Sequence, residues 1–258
     1  MSAAVVGGAT RWSPAEAEHL LAFADDEHLI GQQHTEWIGT APFLEEDLAF
    51  CSIAQDELGH AAALYELLGD VDALAFGREP AAYRSCSLVE VPCVEWELAI
   101  ARHWLYDLAE RQRWDSIAPA AAGGHDADHP DLAGVIARAQ REEEYHRIHV
   151  TTLVGTLRTA GEASCRRLDA AIVAMLPDAD ALWQPLDGEP ELVASGFSSA
   201  DSATMQSRWR DEVDAVVGPV QWETLAAPEG TRHERTPHFV PLYDRITEVF
   251  RLDPTATW

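Results

Sequence analysis

The stretch IAQDELGHA, Ile53 to Ala61, most constrains what this chain can become. It has the apolar spacing of a buried helix, yet it carries Glu57 and His60 one turn apart on a single face. A buried carboxylate and imidazole need partners that water cannot supply. The fold must therefore bring other polar groups to this depth.

The surrounding pattern is helical. Ser13 followed by Pro14 is a cap and first-turn pair, and a helix is expected from there to about Gly39. Thr40 to Pro42 breaks it, and a second helix is expected from about Phe43 to Leu68, closed by Gly69. Arg78 to Pro92 reads as a connection. A third helix is expected over about Val94 to Ile117, a glycine- and acid-rich loop over Ala118 to Pro130, and a fourth helix from Asp131 to about Ala160. A fifth covers roughly Glu162 to Met175. Beyond it the pattern loosens, with further helices expected over Ser199 to Val217 and Pro241 to Arg251. No period-two alternation stands out. Four long helices in two hairpins give an all-α bundle. The expectation is one helical domain over residues 1–258, with a core bundle at about 13–160 and a C-terminal extension at about 161–258.

With 24 Glu and 11 His, about one Glu-x-x-His pair is expected by chance. There are three: Glu16/His19, Glu57/His60 and Glu143/His146. The first falls in an opening helical turn, where Glu suits the helix dipole, and reads as surface. The other two lie deep in helices two and four. Di-iron carboxylate bundles place such a pair on two helices and one acid on each of the others. Residues equidistant from an antiparallel turn meet across it. Glu57 lies fifteen residues beyond Pro42, and Glu27 the same number before it. With the second loop centred near residue 125, Glu143 mirrors Asp107, and Glu110, one turn on, competes with it. Glu36 is too near its turn to face Glu57.

Glu27, Glu57, His60, Glu143 and His146, with Asp107 or its competitor Glu110, thus form the candidate metal and catalytic set. Carboxylates bridge and neutralise two hard cations, and each imidazole adds one neutral nitrogen, which suits two Fe ions, with Mn or a mixed pair as alternatives. Six protein ligands leave positions open to O₂, and two ferrous ions supply one electron each. Nearby, His34 reads as partly exposed, and for His149, three after His146, a place behind the ligands is the weaker of two readings. Trp37, Trp96, Trp104, Tyr106 and Tyr145 read as core.

The net charge of −26, with arginine supplying all 18 basic residues, repels nucleic acid and anionic lipid. No apolar run is long enough for a membrane span. The opening MSAAVVGGATRW lacks a secretion signal, so a cytoplasmic location is expected. Cys51, Cys86, Cys93 and Cys165 form no CxxC and are expected as reduced thiols, Cys51 as a small core residue.

The segments DEHLIGQQHTEWIGTAP, IAQDELGH, WLYD and REEEYH resemble the phenylacetic-acid-catabolism proteins, the subunits of a bacterial phenylacetyl-CoA monooxygenase (ring 1,2-epoxidase). The first, second and fourth are similar to the catalytic subunit at Glu27, Glu57, His60, Glu143 and His146. WLYD resembles its third-helix segment, whose aspartate is a ligand, and so favours Asp107. EWIGTAPFLEED, EEEYHRIH and CRRLDAAIVAMLP are more similar to the structural subunit, which has the same fold without metals. This chain departs from that subunit by keeping Glu27, Glu57 and His60. The resemblance covers about residues 15–190. It implies a ferritin-like di-iron oxygenase that hydroxylates or epoxidises an aromatic or acyl-CoA thioester. Electrons would come from a reductase, within a homo- or hetero-oligomer of related subunits. Arg102, Arg111 and Arg113 are the nearest basic residues for a CoA phosphate but read as surface salt-bridge residues. The alternatives are a non-catalytic scaffold subunit and a ferritin-like metal-binding protein without an organic substrate.

Overall fold

The computed structural model describes residues 12–122 and 130–255, and among them there is no strand. Helix α1 (Pro14–His34) starts at a full capping box. The Ser13 hydroxyl accepts from the Glu16 amide at 3.3 Å, and the Glu16 carboxylate accepts from the Ser13 amide at 2.8 Å. A 3-10 turn, Thr35–Trp37, ends it, and Gly39 then turns the chain at φ +81°. Helix α2 (Leu44–Leu68) returns antiparallel. The two pack so closely that a Cβ on Gly31 would stand 3.0 Å from the Leu58 side chain and 3.1 Å from Glu57 Cβ.

A long crossover carries α3 (Val71–Ala75) and α4 (Ser87–Glu90) to the second hairpin, α5 (Trp96–Ala122) and α6 (Pro130–Thr159). Two hairpins joined by one crossover are the ferritin-like arrangement. Helix α5 runs a turn past the expected end because alanines follow Pro119, and a proline near a helix end disrupts only the last bonds. Of the expected loop, residues 123–129 lie outside the described ones. Helix α7 (Glu162–Asp180) also outlasts its expected end, and α8 (Glu189–Ser195) falls where irregular chain is expected. The remaining elements are α9 (Ser202–Val217), α10 (Phe239–Ile246) and α11 (Glu248–Leu252).

The later helices are not distributed evenly. Helix α7 packs on α5 and α6, α9 packs on α5, and α4 and α8 pack on α1. Helices α1 and α5 are thereby wrapped on both sides, which explains three departures from the sequence expectations. Glu16 and His19 are buried rather than on the surface, because Phe197 closes edge-on over His19 at 6.0 Å. Burial, with Arg113 and Arg232 nearby, holds His19 down to about 3. His34, expected partly exposed, is fully buried against Phe50 and His103. Arg102 and Arg113 are buried as well; only Arg111, paired with Glu212 at 2.6 Å, stays near the surface. Tyr145 departs the other way, projecting from α6 80% exposed instead of packing in the core. Cys51 is half-buried, and all four cysteines are free.

Three consecutive buried acids on α1 point in three directions. Asp25 accepts from Tyr65 Oη and the Arg84 amide, both at 2.6 Å, and pairs with Arg78. Asp26 pairs with Arg113 at 2.9 Å and Arg232 at 3.0 Å, and accepts from the Cys86 amide at 2.7 Å. The third is Glu27. Arg232 also donates to the Arg84 and Leu182 carbonyls at 2.8 and 2.9 Å, and Arg235 pairs with Glu90 at 2.7 Å. The segment before α10 therefore inserts its guanidinium groups between α1 and the crossover, where no charge could remain unpaired.

The apolar core has two halves. One gathers Leu29, Phe50, Trp104 and Val150; the other gathers Phe23, Leu64, Trp114 and Ile136. On each of the four bundle helices, the residues between the two halves are the polar ones described next.

Candidate metal centre

Four helices each bring acids or an acid and a histidine to one level. Glu27, Glu57, His60 and Glu110 have donor atoms within 4.8 Å of one another, as do Glu57, Glu143 and His146, and Asp107, Glu110 and Glu143. Glu57, Glu110 and Glu143 each belong to two of these groups, so the three merge into one cluster of five carboxylates and two imidazoles. All seven residues are buried. The structure thus brings together all six residues expected from the sequence. It also places Asp107 and Glu110 side by side: they are neighbours within one cluster rather than alternatives. Glu36 lies apart, paired with Arg245.

The imidazoles share one orientation. His60 Nδ1 points inward, 3.4 Å from Glu27, 3.5 Å from Glu143 and 3.8 Å from both Glu57 and Glu110. His146 Nδ1 also points inward, 3.1 Å from Glu143 and 3.8 Å from Glu57. The outer nitrogens are held by carboxylates on the opposite helix. His60 Nε2 lies 2.9 Å from Glu142, and His146 Nε2 3.2 Å from Asp56. Each of these acids directly precedes the glutamate of the other Glu-x-x-His pair. Donating Nε2–H to them leaves the Nδ1 lone pairs facing the cluster. Sequence reasoning missed Asp56 and Glu142; the doubled acid in QDELGH and EEEYH was the available signal. Two further supports come from α5. Tyr106 donates to Glu27 Oε1 at 2.5 Å, and the Trp114 indole donates to Glu110 Oε1 at 2.9 Å. Tyr106 is thus more than core packing.

The crowding of carboxylates favours positive charge within the cluster, as protons or as cations. Burial, then the charges of Glu27 and Glu143, push Glu57 well above the usual carboxylate range. Burial, then Glu143 and Glu27, do the same to Glu110. Burial opposes charge on His146, but Glu143 and Asp56 overcome it and raise the imidazole to about 10. Burial likewise opposes charge on His60, where Glu27 and Glu143 prevail and raise it. Burial would raise Glu27, but His60 holds it down. Ten donor atoms of the seven residues, including both oxygens of Glu57, Asp107 and Glu143 and both inward Nδ1 atoms, have no hydrogen-bond partner. Buried polar atoms are seldom left so. A pair of divalent cations fits both the surplus negative charge and the unpaired atoms.

Beside Asp107 the polar interior continues. His103 Nδ1 lies 3.0 Å from Asp107, and His34 meets His103 edge-on at 4.9 Å with neither of its nitrogens bonded. Burial holds His34 well below its ordinary value. His149 pairs with Glu46 at 3.1 Å, nearer the surface than the ligands.

Known proteins share this chain's pattern along nearly all its length. Residues 8–258 match the family model described as phenylacetic acid catabolic protein. The chain is 27% identical over 259 residues to one of the subunits of the 1,2-phenylacetyl-CoA epoxidase of Escherichia coli (strain K12), covering 93% of this chain and 98% of that protein. Since the family model runs through all four helices that build the cluster and on through the C-terminal segment that braces α1, this chain belongs to the phenylacetic acid catabolic protein family.

Proposed function

We propose that this chain is an oxygenase component whose seven clustered side chains hold two iron ions and whose substrate is an aromatic or acyl-CoA thioester. The observation that carries this reading is the set of ten unpartnered donor atoms buried at one level of the bundle. A scaffold would gain nothing from burying five carboxylates together, since each like-charge neighbour destabilises the others. That observation weighs against a purely structural role, although the E. coli relative is named as one part of a multi-subunit enzyme. A metal-binding protein without an organic substrate is the remaining alternative.

In this reading Glu57, Glu110 and Glu143, each shared between two donor groups, would contribute to holding both ions. Glu27 and His60 lie on one side, Asp107 and His146 on the other. When bound, an iron pair would supply the two electrons needed to reduce O₂, and a reductase partner would return them. The protein residues position and exclude. Tyr106 fixes one oxygen of Glu27 and leaves Oε2 to ligate; Trp114 does the same for Glu110. Asp56 and Glu142 fix the imidazole planes. The two core halves keep bulk water from the cluster, so charges within it interact strongly. Manganese satisfies the same donor types. No helix among the described residues is long and apolar enough to cross a membrane, and with four free cysteines we place the protein in the cytoplasm. We read the C-terminal helices as part of the same domain.

The test is metal analysis of the purified, iron-reconstituted protein with its oxidised absorption spectrum, followed by oxygen uptake with a reductase and an aryl-CoA. About two irons per chain and near-ultraviolet bands of a coupled ferric pair are expected. Absence of metal would end the catalytic reading. Metal without substrate-coupled uptake would leave the ferritin-like alternative.

A further inference from the structure

All seven residues of the cluster are buried, so an ion they hold must first pass through the bundle. Among the described residues most approaches are closed. The two apolar core halves seal the cluster above and below. Behind it, α4 and α8 pack on α1, α9 packs on α5, and α7 lies across both α5 and α6. Along the seam of α1 and α2, Gly31 is so near Leu58 and Glu57 that even an added methyl group would crowd them. The remaining approach lies between α2 and α6. At its His60 end, Arg138 crosses from α6. It holds Glu142 at 3.1 Å and stands against Gly59, where a Cβ would lie 3.0 Å from its guanidinium. At its His146 end a groove of about 390 Å³ opens. His146 is its floor, with Asp56 and Glu142 beside it, and Ala49, Ser52 and Tyr145 are among its walls. Of the seven cluster residues, His146 alone lines it.

We propose that this groove is the route by which divalent cations enter and leave the cluster, with Asp56 and Glu142 as the first carboxylates an arriving ion meets. The inference rests on the reading of the cluster as a metal centre. Besides the closure of the other approaches, two observations carry it. The first is size. A divalent cation in water carries about six water molecules, roughly 180 Å³ at about 30 Å³ each. The groove admits such an ion whole, whereas the packed cluster does not, so the water must be given up at the groove floor. The second is position. Asp56 lies 3.2 Å from His146 Nε2 and Glu142 2.9 Å from His60 Nε2, yet their side chains are 30% and 28% exposed. Each touches an imidazole of the cluster on one side and solvent on the other. Each can therefore replace an ion's water with carboxylate oxygen one step before the buried ligands do. The net charge of −26 draws cations toward the chain as a whole. Arg141, which lines the groove and makes no ion pair among the described residues, opposes them locally. That opposition gives the route a measurable handle.

Cobalt(II) uptake by the metal-free full chain, followed in a stopped-flow by the visible bands of the bound ion, tests the route. Ser52→Cys, in a chain also carrying Cys51→Ala and Cys165→Ala, puts one accessible thiol on the groove wall and leaves only buried thiols elsewhere. A bulky aromatic disulfide formed there should slow both cobalt uptake and cobalt removal by a chelator roughly tenfold or more. The final stoichiometry should match the parent's. Reducing the disulfide should restore the parent rate, which separates a blocked route from a damaged fold. The same label on Ser207→Cys, exposed on α9, should change neither rate. Arg141→Glu should speed uptake at low salt and lose that advantage as salt is added. Uptake that stays as fast with the groove closed, at the parent's stoichiometry, overturns the route and leaves the metal centre standing. So does equal slowing by the label on α9, or an Arg141→Glu chain that loads no faster at low salt. A parent chain that takes up no cobalt overturns both.

Discussion

Arg232→Met measures how far the C-terminal segment holds the bundle together. Arg232 is buried between α1 and the crossover, and methionine nearly fills its volume, so the change removes charge and hydrogen bonds more than packing. Four contacts are lost: the two to the Asp26 oxygens, at 3.0 and 3.3 Å, and the bonds to the Arg84 and Leu182 carbonyls. Removing one partner of a buried pair costs ~3–5 kcal/mol. Here Asp26 keeps Arg113 and the Cys86 amide, which places the ionic part at the low end. Each carbonyl left without a donor adds about 1 kcal/mol, and the new apolar burial returns a similar amount. The net loss is about 3–4 kcal/mol, out of a total stability of ~5–15 kcal/mol. For a chain of this length that lowers Tm by roughly 10 °C. Thermal and urea unfolding of the metal-free protein give the number, with Arg166→Met as control. Arg166 and its partner Glu162 are both exposed, and that change should cost less than ~0.5 kcal/mol. A loss below about 1 kcal/mol, or one no larger than the control's, would refute the view that this segment anchors α1.

Glu57→Ala and His60→Ala should each strip metal while far-ultraviolet circular dichroism stays helical; full metal occupancy in either variant counts against the cluster as a metal site. Asp56→Asn and Glu142→Gln should keep the fold and weaken metal binding ~10–100-fold, as read by competition with a chelator, because each loosens a histidine on the facing helix. The metal-free protein should lose stability as pH rises from 7 to 9, above the window in which the downward-shifted His19, His28, His34 and His149 exchange protons. Glu57 and Glu110 hold protons longer folded than unfolded, and so do His60 and His146, the latter to about 10, so the folded state loses protons it had favoured. Glu27, shifted down, changes only below that window. Bound metal takes the place of those protons, so the difference in Tm between loaded and metal-free protein should widen with pH; a constant or narrowing difference would contradict the assigned charges.

The bundle was legible because its determinants are local. Ser13–Pro14, the Thr40–Pro42 break and the Asp131 start lie within a turn of observed helix ends. The cluster was legible for a geometric reason: antiparallel helices pair residues equidistant from a turn, so spacing alone puts Glu27 opposite Glu57 and an α5 acid opposite Glu143. The same arithmetic carries an error of about one helical turn, which is the interval from Asp107 to Glu110. Burial on the outer side of α1 and α5 was not legible. His19, His34, Arg102 and Arg113 are polar residues in a polar pattern, and only the later helices, distant in sequence, put them inside. Asp25 and Asp26 gave no local signal either, since their partners Arg78, Arg113 and Arg232 lie up to 206 residues away.

The crossed carboxylates have a consequence for how the centre fills. Asp56 rides on α2 and steers a ring on α6, while Glu142 rides on α6 and steers a ring on α2. Neither half can be aligned unless both helices stand in register, so in the proposed two-metal centre the first cation would hold in place the alignment its neighbour needs. Occupancy should pass from none to two with little of the singly filled form between.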